Sequence, residues 1–479
     1  MSNTLETEFL VVGGGIAGVS CAELLSTLAP QASITLITSG PMVKAVTDFS
    51  HLTKLLATFD VVEQSIDEWG EQNGGVKVFR GNITGLHPES RTVEVTGVGT
   101  VGYKRLCLCT GARPKLAIEH PLVLGIRDVQ SVVELQRKLA TARRVLLLGN
   151  GGIATELVHE LEDIEVVWAI KDSSISSTFV DPGAGEFLRS RLEGGAGKVR
   201  GAAKRMKYSV RGGLPEGGSA LGPDWHQGLD ARGSGKCKKV TVEHGTTLER
   251  LIEPTDLSVE ALTPHTPPGW SCGEQSWPVY AELSSGRVYG CDFVVSATGV
   301  IPEGDLFRSV LNVDPEGGVV VDEVMRASAE GVYAAGDLAS PGWTLATHWL
   351  PMRLWTQARQ TGMQAAVTMI ADAKGEEVTQ DFCFEMFAHV TKFFGFKVVL
   401  LGLFNGQKLD NQYEILLRTT PGLEYVKVIL KNGRMQGALL IGETDLEETF
   451  ENLILNQLDL TCYGEDLLDP DIDIEDYFD

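Results

Sequence analysis

Phe9-Leu10-Val11-Val12-Gly13-Gly14-Gly15-Ile16-Ala17-Gly18 joins an apolar run to a glycine cluster, and a helical stretch through Leu28 follows at once. Four consecutive apolar residues fit a strand buried on both faces, so the pattern is strand, tight turn, helix. Gly13, Gly15 and Gly18 have the spacing GxGxxG. The first glycine permits the turn, the second lets a pyrophosphate approach the backbone, and the third lets helix and strand pack closely. The amides at the helix N-terminus then face the anion. A second apolar run at 34–37 completes a strand–helix–strand unit of about 30 residues, the length such a unit requires.

The pattern recurs at 143–148, followed by Gly149-Asn150-Gly151-Gly152-Ile153-Ala154, a helix through Leu161 and a strand at 166–170. Ala154 stands where the third glycine would be, which dinucleotide folds tolerate. Either unit alone also fits an ordinary strand-to-helix turn, but two in one chain predict two dinucleotides. Two further strands, at 106–109 and 293–296, run into Thr110-Gly111-Ala112-Arg113-Pro114 and Thr298-Gly299-Val300-Ile301-Pro302. Each can return the chain to its sheet and cross to the next domain, or be simply a buried strand with a glycine turn.

The chain has 479 residues, enough for roughly three domains. Lys and Arg number 41 against 64 Asp and Glu, a net charge of -23, which argues against a general binder of nucleic-acid backbones. No direct nucleic-acid contact is expected. No apolar run is long enough for a membrane helix, and residues 1–10 are acidic without a secretory pattern, so an intracellular protein is expected. Eight Cys are scattered without a CxxC pair, which indicates neither a disulfide scaffold nor a zinc site. The 54 Gly are an excess over ordinary usage.

Together with Val332-Tyr333-Ala334-Ala335-Gly336-Asp337, these motifs resemble the pyridine nucleotide-disulphide oxidoreductases, flavoproteins that bind two dinucleotides. The resemblance implies an α/β fold with two Rossmann-like dinucleotide-binding domains, for FAD and for NAD(P), and a C-terminal α+β domain. It implies FAD binding by 1–118 with 302–375, NADH or NADPH binding by 119–301, and a third domain over 376–479. Gly13, Ile16, Ala17, Gly15 and Gly18 match the FAD loop, and Gly336-Asp337 the second flavin motif, in which the Asp accepts from ribityl hydroxyls. Asp337 also suits a helix N-cap. Further cofactor-binding candidates are Ser39, Lys44, Thr47, Thr110, Gly111, Arg113, Thr298, Gly299 and Trp355 on the flavin side and the crossovers, and Gly149, Gly151, Gly152 and Ile153 in the second loop. A helix following Asp337 is expected to aim its positive N-terminus at the flavin.

Departures from the family pattern are informative. Thr38 stands where an acid would hold the adenosine ribose, so looser recognition is expected. At the matching place of the second unit there is no acid, and Lys171 is adjacent. That leaves NADPH acceptable, or Lys171 is a surface lysine. Glu156 matches a glutamate that lies near the nicotinamide or flavin, although an exposed helix-face glutamate reads the same way. Glu156 and His348 are the candidate catalytic groups, neither of them certain. Residues 41–59 contain no Cys, and Thr47 and Asp48 occupy the register of a flavin-facing sulfur. Cys107 and Cys109 share a strand face about 6.6 Å apart, the outer edge of disulfide reach, and read as buried free thiols. What remains is hydride transfer from NADH or NADPH to FAD, carried by the cofactors.

About 110 residues separate Asp181 from Val294 where one strand–helix–strand length is expected. A Gly-rich insertion over about 193–285 is expected, basic across 193–239, either a solvated loop or a docking surface. The region from 382 reads as strands at 398–403, 414–417, 425–430 and 437–441 with a helix over 446–458. No HxxxxE occurs there, and His389 is its only His. The acidic end, 464–479, reads as a solvated or a partner-binding tail. The resemblance further implies a reductase of nucleus and cytoplasm, with a redox-protective role beside the tRNA ligase complex. The alternative is a cofactor-dependent binding or redox-sensing protein with little turnover.

Overall fold

The computed structural model describes residues 5–193, 225, 229–235, 237–257, 263–270, 276–410 and 412–469. Most of the basic stretch within 193–239 and the acidic end from 470 lie outside the described residues.

The apolar run that opens the chain becomes the strand Leu5–Val12, with Phe9, Leu10, Val11 and Val12 buried. It is parallel to Ile34–Thr38 on one side, with Phe9 opposite Ile34, and to Gly99–Leu108 on the other, with Val11 opposite Cys107. Val76–Arg80 extends one edge, and Val332–Ala334 pairs with Gly99–Leu108, so the GD motif follows the strand end beside the first glycine loop. Strands sandwiched between neighbours and covered on both faces need side chains without polar demands, which is why these runs are nearly continuous Val, Leu and Ile.

The second sheet is wholly parallel, in the order Val123–Gly125, Phe293–Ser296, Arg144–Leu148, Glu165–Ala169, Lys239–Glu243. Lys239–Glu243 is therefore an integral strand of this sheet although it lies within the stretch read as an insertion. The antiparallel meander Leu248–Ile252, Val279–Leu283, Val288–Cys291 lies in the same stretch, apart from its last residues. Its backbone bonds are satisfied within it, so it behaves as an element rather than as a loop.

The third sheet is antiparallel: Ala388–Phe393, Phe396–Gly402, Arg434–Ile441, Glu424–Lys431, Glu414–Thr420, with the helix Glu447–Asn456 on it. The strand Ala388–Phe393 has no apolar alternation to mark it, because its buried face carries His389, Thr391 and Phe393, and it is short and follows a dense aromatic run. Phe387, Phe393, Phe396 and Val398 share one buried core with Leu157, Phe179 and Leu188 of the second unit. Full burial of each such side chain contributes about 1.5–3 kcal/mol, so this core ties the third sheet to the second unit and not to solvent.

One close approach sets the position of the site. The helix Ile16–Leu28 packs against the helix Trp355–Lys374, and a Cβ on Gly362 would lie 2.2 Å from the Ala17 carbonyl oxygen. Only glycine allows that crossing. Both helices consequently bring their N-termini to one side of the molecule. The long helix ends at Gly375 with φ +71°, a left-handed C-cap that suits glycine. Among the described residues no helix is long and apolar enough to cross a membrane.

Candidate functional site

Three helix N-termini meet at a cavity of about 540 Å³. Gly15, Ile16 and Ala17 reach it from the first glycine loop, Gly151, Gly152 and Ile153 from the second, and Arg353, Leu354 and Trp355 from the start of the long helix. None of the three helices has a side-chain N-cap, and none carries an acid in its first turn. Uncapped amides leave about half a positive charge at each end, so the cavity is prepared for anionic or electron-rich groups.

The glycines of the two loops divide by what stands before them. A Cβ on Gly13, at φ +129°, would meet the Cys109 carbonyl oxygen at 2.0 Å, and one on Gly149, at φ +117°, would meet that of Ala297 at 2.1 Å. Gly18 is held just as closely against Gly13. These three shape the turn. Gly15 and Gly151 have nothing within 4 Å of such a Cβ, and both line the cavity. The space before them is where a pyrophosphate can reach backbone amides.

Asp337 lies in the short helix Gly336–Leu338 and lines the same cavity. Among the described residues its carboxylate has neither a hydrogen bond nor an ion pair. Its backbone carbonyl accepts from Arg353 Nε at 3.2 Å. Burial raises the carboxyl above its ordinary range against the opposing pull of Arg353 and Arg127. An unpaired carboxylate in a recess is satisfied by hydroxyl donors, and a ribityl chain supplies them.

Glu156 is buried, lines the cavity, and accepts from Trp225 Nε1 at 2.5 Å. It is therefore not an exposed helix-face residue. Trp225 belongs to the inserted stretch, and nothing in the sequence pattern marked it. Gly111, Gly299, Gly336 and Trp355 also line the cavity.

The other candidates lie elsewhere. Thr38 is buried at the end of its strand, with its hydroxyl beside Gly14, and Ser39 is exposed. Lys44 is buried in an ion pair with Glu63 at 2.7 Å. Thr47 lies on the hairpin Met42–His51, Ala57–Ser65, off the cavity wall. The Thr110 carbonyl accepts from Arg127, Arg113 pairs with Glu303 at 3.4 Å, and Thr298 donates to the Lys115 carbonyl at 2.7 Å. Lys171 is exposed. His348 turns toward the third sheet, where its Nε2 meets Gln436 Oε1 at 3.1 Å, and it does not line the cavity. His389 lines it instead, with Phe179, Phe393, Arg127 and Arg353. His389 and Phe393 lie on one face of a strand, and only packing shows what that face meets.

Cys107 and Cys109 have their sulfurs 3.5 Å apart on the strand and its end, unbridged, with Cys21 also buried nearby. The Cys107 contact and burial push the Cys109 thiol well up. A thiol held neutral is a poor nucleophile, because the thiolate is the reactive form.

A model of the family described as pyridine nucleotide-disulphide oxidoreductase matches residues 7–197 and 239–368. The chain belongs to this family. The match passes over 198–238, the core of the basic stretch, and a second model, the rubredoxin NAD+ reductase C-terminal domain, matches 388–458. Relatives named pyridine nucleotide-disulfide oxidoreductase domain-containing protein 1 are 48% identical in Homo sapiens, over 98% of each chain, and 48% identical in Drosophila melanogaster, over 98% of this chain and 99% of the relative. Among solved structures, a NAD-dependent persulfide reductase from A. fulgidus superposes with a TM-score of 0.65 at 18% identity, covering 94% of this chain and 77% of that one. NADH:rubredoxin oxidoreductase from Clostridium acetobutylicum gives 0.58 at 16% identity, covering 95% and 96%. These structures share the fold. Members of the family use FAD with NADH or NADPH. The open glycines, the three uncapped helix ends and the unpaired Asp337 fit both groups.

Proposed function

We propose that this protein is a flavin-dependent oxidoreductase that takes hydride from NADH or NADPH and works without a redox-active cysteine pair. The observation that carries the reading is the convergence of two open glycine loops and a third helix N-terminus on one cavity that also holds an unpaired Asp337. When bound, the two dinucleotides supply the chemistry, a hydride passing from nicotinamide to flavin.

The protein's share is binding and orientation. The amides after Gly15 and Gly151 hold phosphates, with no side chain interposed. Asp337 holds a hydroxylated chain in place. The N-terminus of Trp355–Lys374 stabilises negative charge that develops on a ring before it, a preorganised dipole that costs no rearrangement during the reaction. Glu156, fixed by Trp225, stands beside the second loop as an acceptor for a donor group on the nicotinamide side. Phe179, Phe393 and Trp355 give the cavity aromatic walls that favour flat rings and exclude water.

The domain assignments belong to the same proposal: 1–118 with 302–375 for FAD, 119–301 for NADH or NADPH, and 376–479 closing the cavity from the side of the third sheet. So do the cofactor-binding roles of the residues on the cavity wall. The purified protein is expected to be yellow and to bleach anaerobically on addition of NADH or NADPH. A colourless protein that takes up no FAD, or a flavin that neither nucleotide bleaches, refutes the reading.

The finer part of the proposal is a redox-protective role beside the tRNA ligase complex in nucleus and cytoplasm. It rests on likeness over the whole chain and on no particular side chain. Co-purification of the ligase with and without NADH tests it, and equal recovery in both counts against a role set by the nucleotide.

A further inference from the structure

His389 lines the cavity, and the cofactor-binding roles proposed above make no use of it. It comes from the first strand of the third sheet of the same chain, is 1% exposed, and stands with its ring 4.9 Å from that of Trp355. Its Nδ1 lies 3.2 Å from Thr356 Oγ1, and among the described residues its Nε2 has no partner. A buried ring nitrogen without a partner costs free energy that nothing in the cavity wall returns.

The Thr356 contact settles which nitrogen carries the proton. The Thr356 side chain is buried, and among the described residues Nδ1 is its only hydrogen-bond partner. If Nδ1 donated, the hydroxyl hydrogen would be left without an acceptor. With the hydroxyl donating to Nδ1, both Thr356 and Nδ1 are satisfied and the proton sits on Nε2. Burial also pushes the imidazolium down to about 3, so the ring is neutral at any ordinary pH and is no proton source. The unsatisfied group is thus a neutral N–H donor, set between the start of the long helix and Phe179 of the second unit.

We propose that His389 donates its Nε2–H to an amide-type carbonyl oxygen on a flat ring bound in this cavity, and so orients that ring. The carbonyl is either that of the flavin's pyrimidine ring or the carboxamide of the nicotinamide. The proposal rests on the reading of the cavity as a dinucleotide site, and its test separates the two ideas.

The test compares wild type with His389→Leu and His389→Gln, titrating the oxidised flavoprotein with NAD+ and with ADP-ribose, which lacks the carboxamide, while recording the flavin spectrum. Losing one neutral hydrogen bond weakens binding about 3- to 10-fold. If the carboxamide is the partner, His389→Leu weakens NAD+ by that factor and leaves ADP-ribose unchanged, and His389→Gln, which keeps an N–H, recovers part of the loss. If the flavin is the partner, the variant shifts the bound-flavin absorption band and weakens FAD retention, with both nucleotides unaffected relative to each other. Thr356→Val, which frees the Nε2 proton to move to Nδ1, produces the same change in smaller measure and serves if His389→Leu does not fold. Wild type that binds neither FAD nor NAD+ refutes the dinucleotide reading. Wild type that binds both, beside His389→Leu and Thr356→Val that match it in spectrum and in both affinities, overturns the role of His389.

Discussion

Replacing Asp337 by Asn separates the stability of the empty protein from its hold on flavin, and the structure sets opposite signs for the two. In the cavity the carboxylate has no partner among the described residues, and burial raises its pKa, so the charged form is disfavoured in the folded state. The carboxylate is half-buried at the cavity wall, where partial desolvation disfavours the charged form, and Asn removes the charge while keeping the shape. Flavin-free Asp337→Asn is therefore expected to be more stable than flavin-free wild type at neutral pH by about 1 kcal/mol, read as a rise of about 1–2 °C in the melting temperature of a chain of this length. A group whose folded pKa is raised costs stability above that pKa. The gap therefore narrows as pH falls through the raised value and closes below the ordinary carboxyl range. Flavin binding moves the other way. A hydrogen bond from a ribityl hydroxyl contributes about 1.5–3 kcal/mol to a charged acceptor and about 0.5–1.5 kcal/mol to the Asn carbonyl that replaces it, so FAD affinity falls by the difference, about 5- to 10-fold. Differential scanning fluorimetry of the stripped proteins and fluorescence titration with FAD measure both. A variant that loses stability when empty, or that binds FAD as wild type does, refutes the assignment of Asp337 as an unpaired acid awaiting hydroxyl donors.

The two kinds of glycine give a second contrast. Gly15→Ala is expected to leave the melting temperature of the stripped protein unchanged while lowering FAD affinity at least 10-fold, whereas Gly13→Ala, with backbone in the way at 2.0 Å, loses folded yield. Gly151→Ala keeps its flavin and raises KM for NADH or NADPH, measured by the rate of anaerobic bleaching against nucleotide concentration. On the proposed reading without a redox-active cysteine pair, Cys107→Ser retains nucleotide-driven flavin reduction within about twofold, since burial holds the thiol neutral, and stopped-flow absorbance checks it. Exchange of Lys171 for Glu lowers the preference for NADPH over NADH if that exposed lysine meets a 2′-phosphate, and leaves the ratio of the two KM values unchanged if it does not.

Much of the scaffold was legible because it depends on local rules. Glycine spacing after an apolar run forces a turn into a helix, and both runs and both turns stand where that rule puts them. The crossover strand read at 293–296 coincides with Phe293–Ser296. The meander around Val279–Leu283 falls inside the expected insertion because that expectation rests on the excess length between Asp181 and Val294, which says nothing about what the extra residues form. The strand Ala388–Phe393 gives no local signal because two of the three residues on its buried face are polar, and His389 is one of them. His348 is a candidate because it follows Asp337 in sequence, and nearness in sequence says nothing about direction. The chain there turns the His348 ring to Gln436 and leaves the cavity to a residue further along.

The sequence by itself determined that two strand–turn–helix units exist, that each has a glycine turn at the head of its helix, and that residues 41–59 contain no Cys. All three follow from residue types within a few positions of one another. Tertiary structure alone decided that the units face a common cavity, that Gly362 lets a third helix start there, that Glu156 is buried against Trp225, and that a histidine of the third sheet stands opposite. Those relations join residues far apart in the chain. They depend on how close two backbones can approach and on which face of a strand a neighbouring core covers, and neither is written in any single stretch.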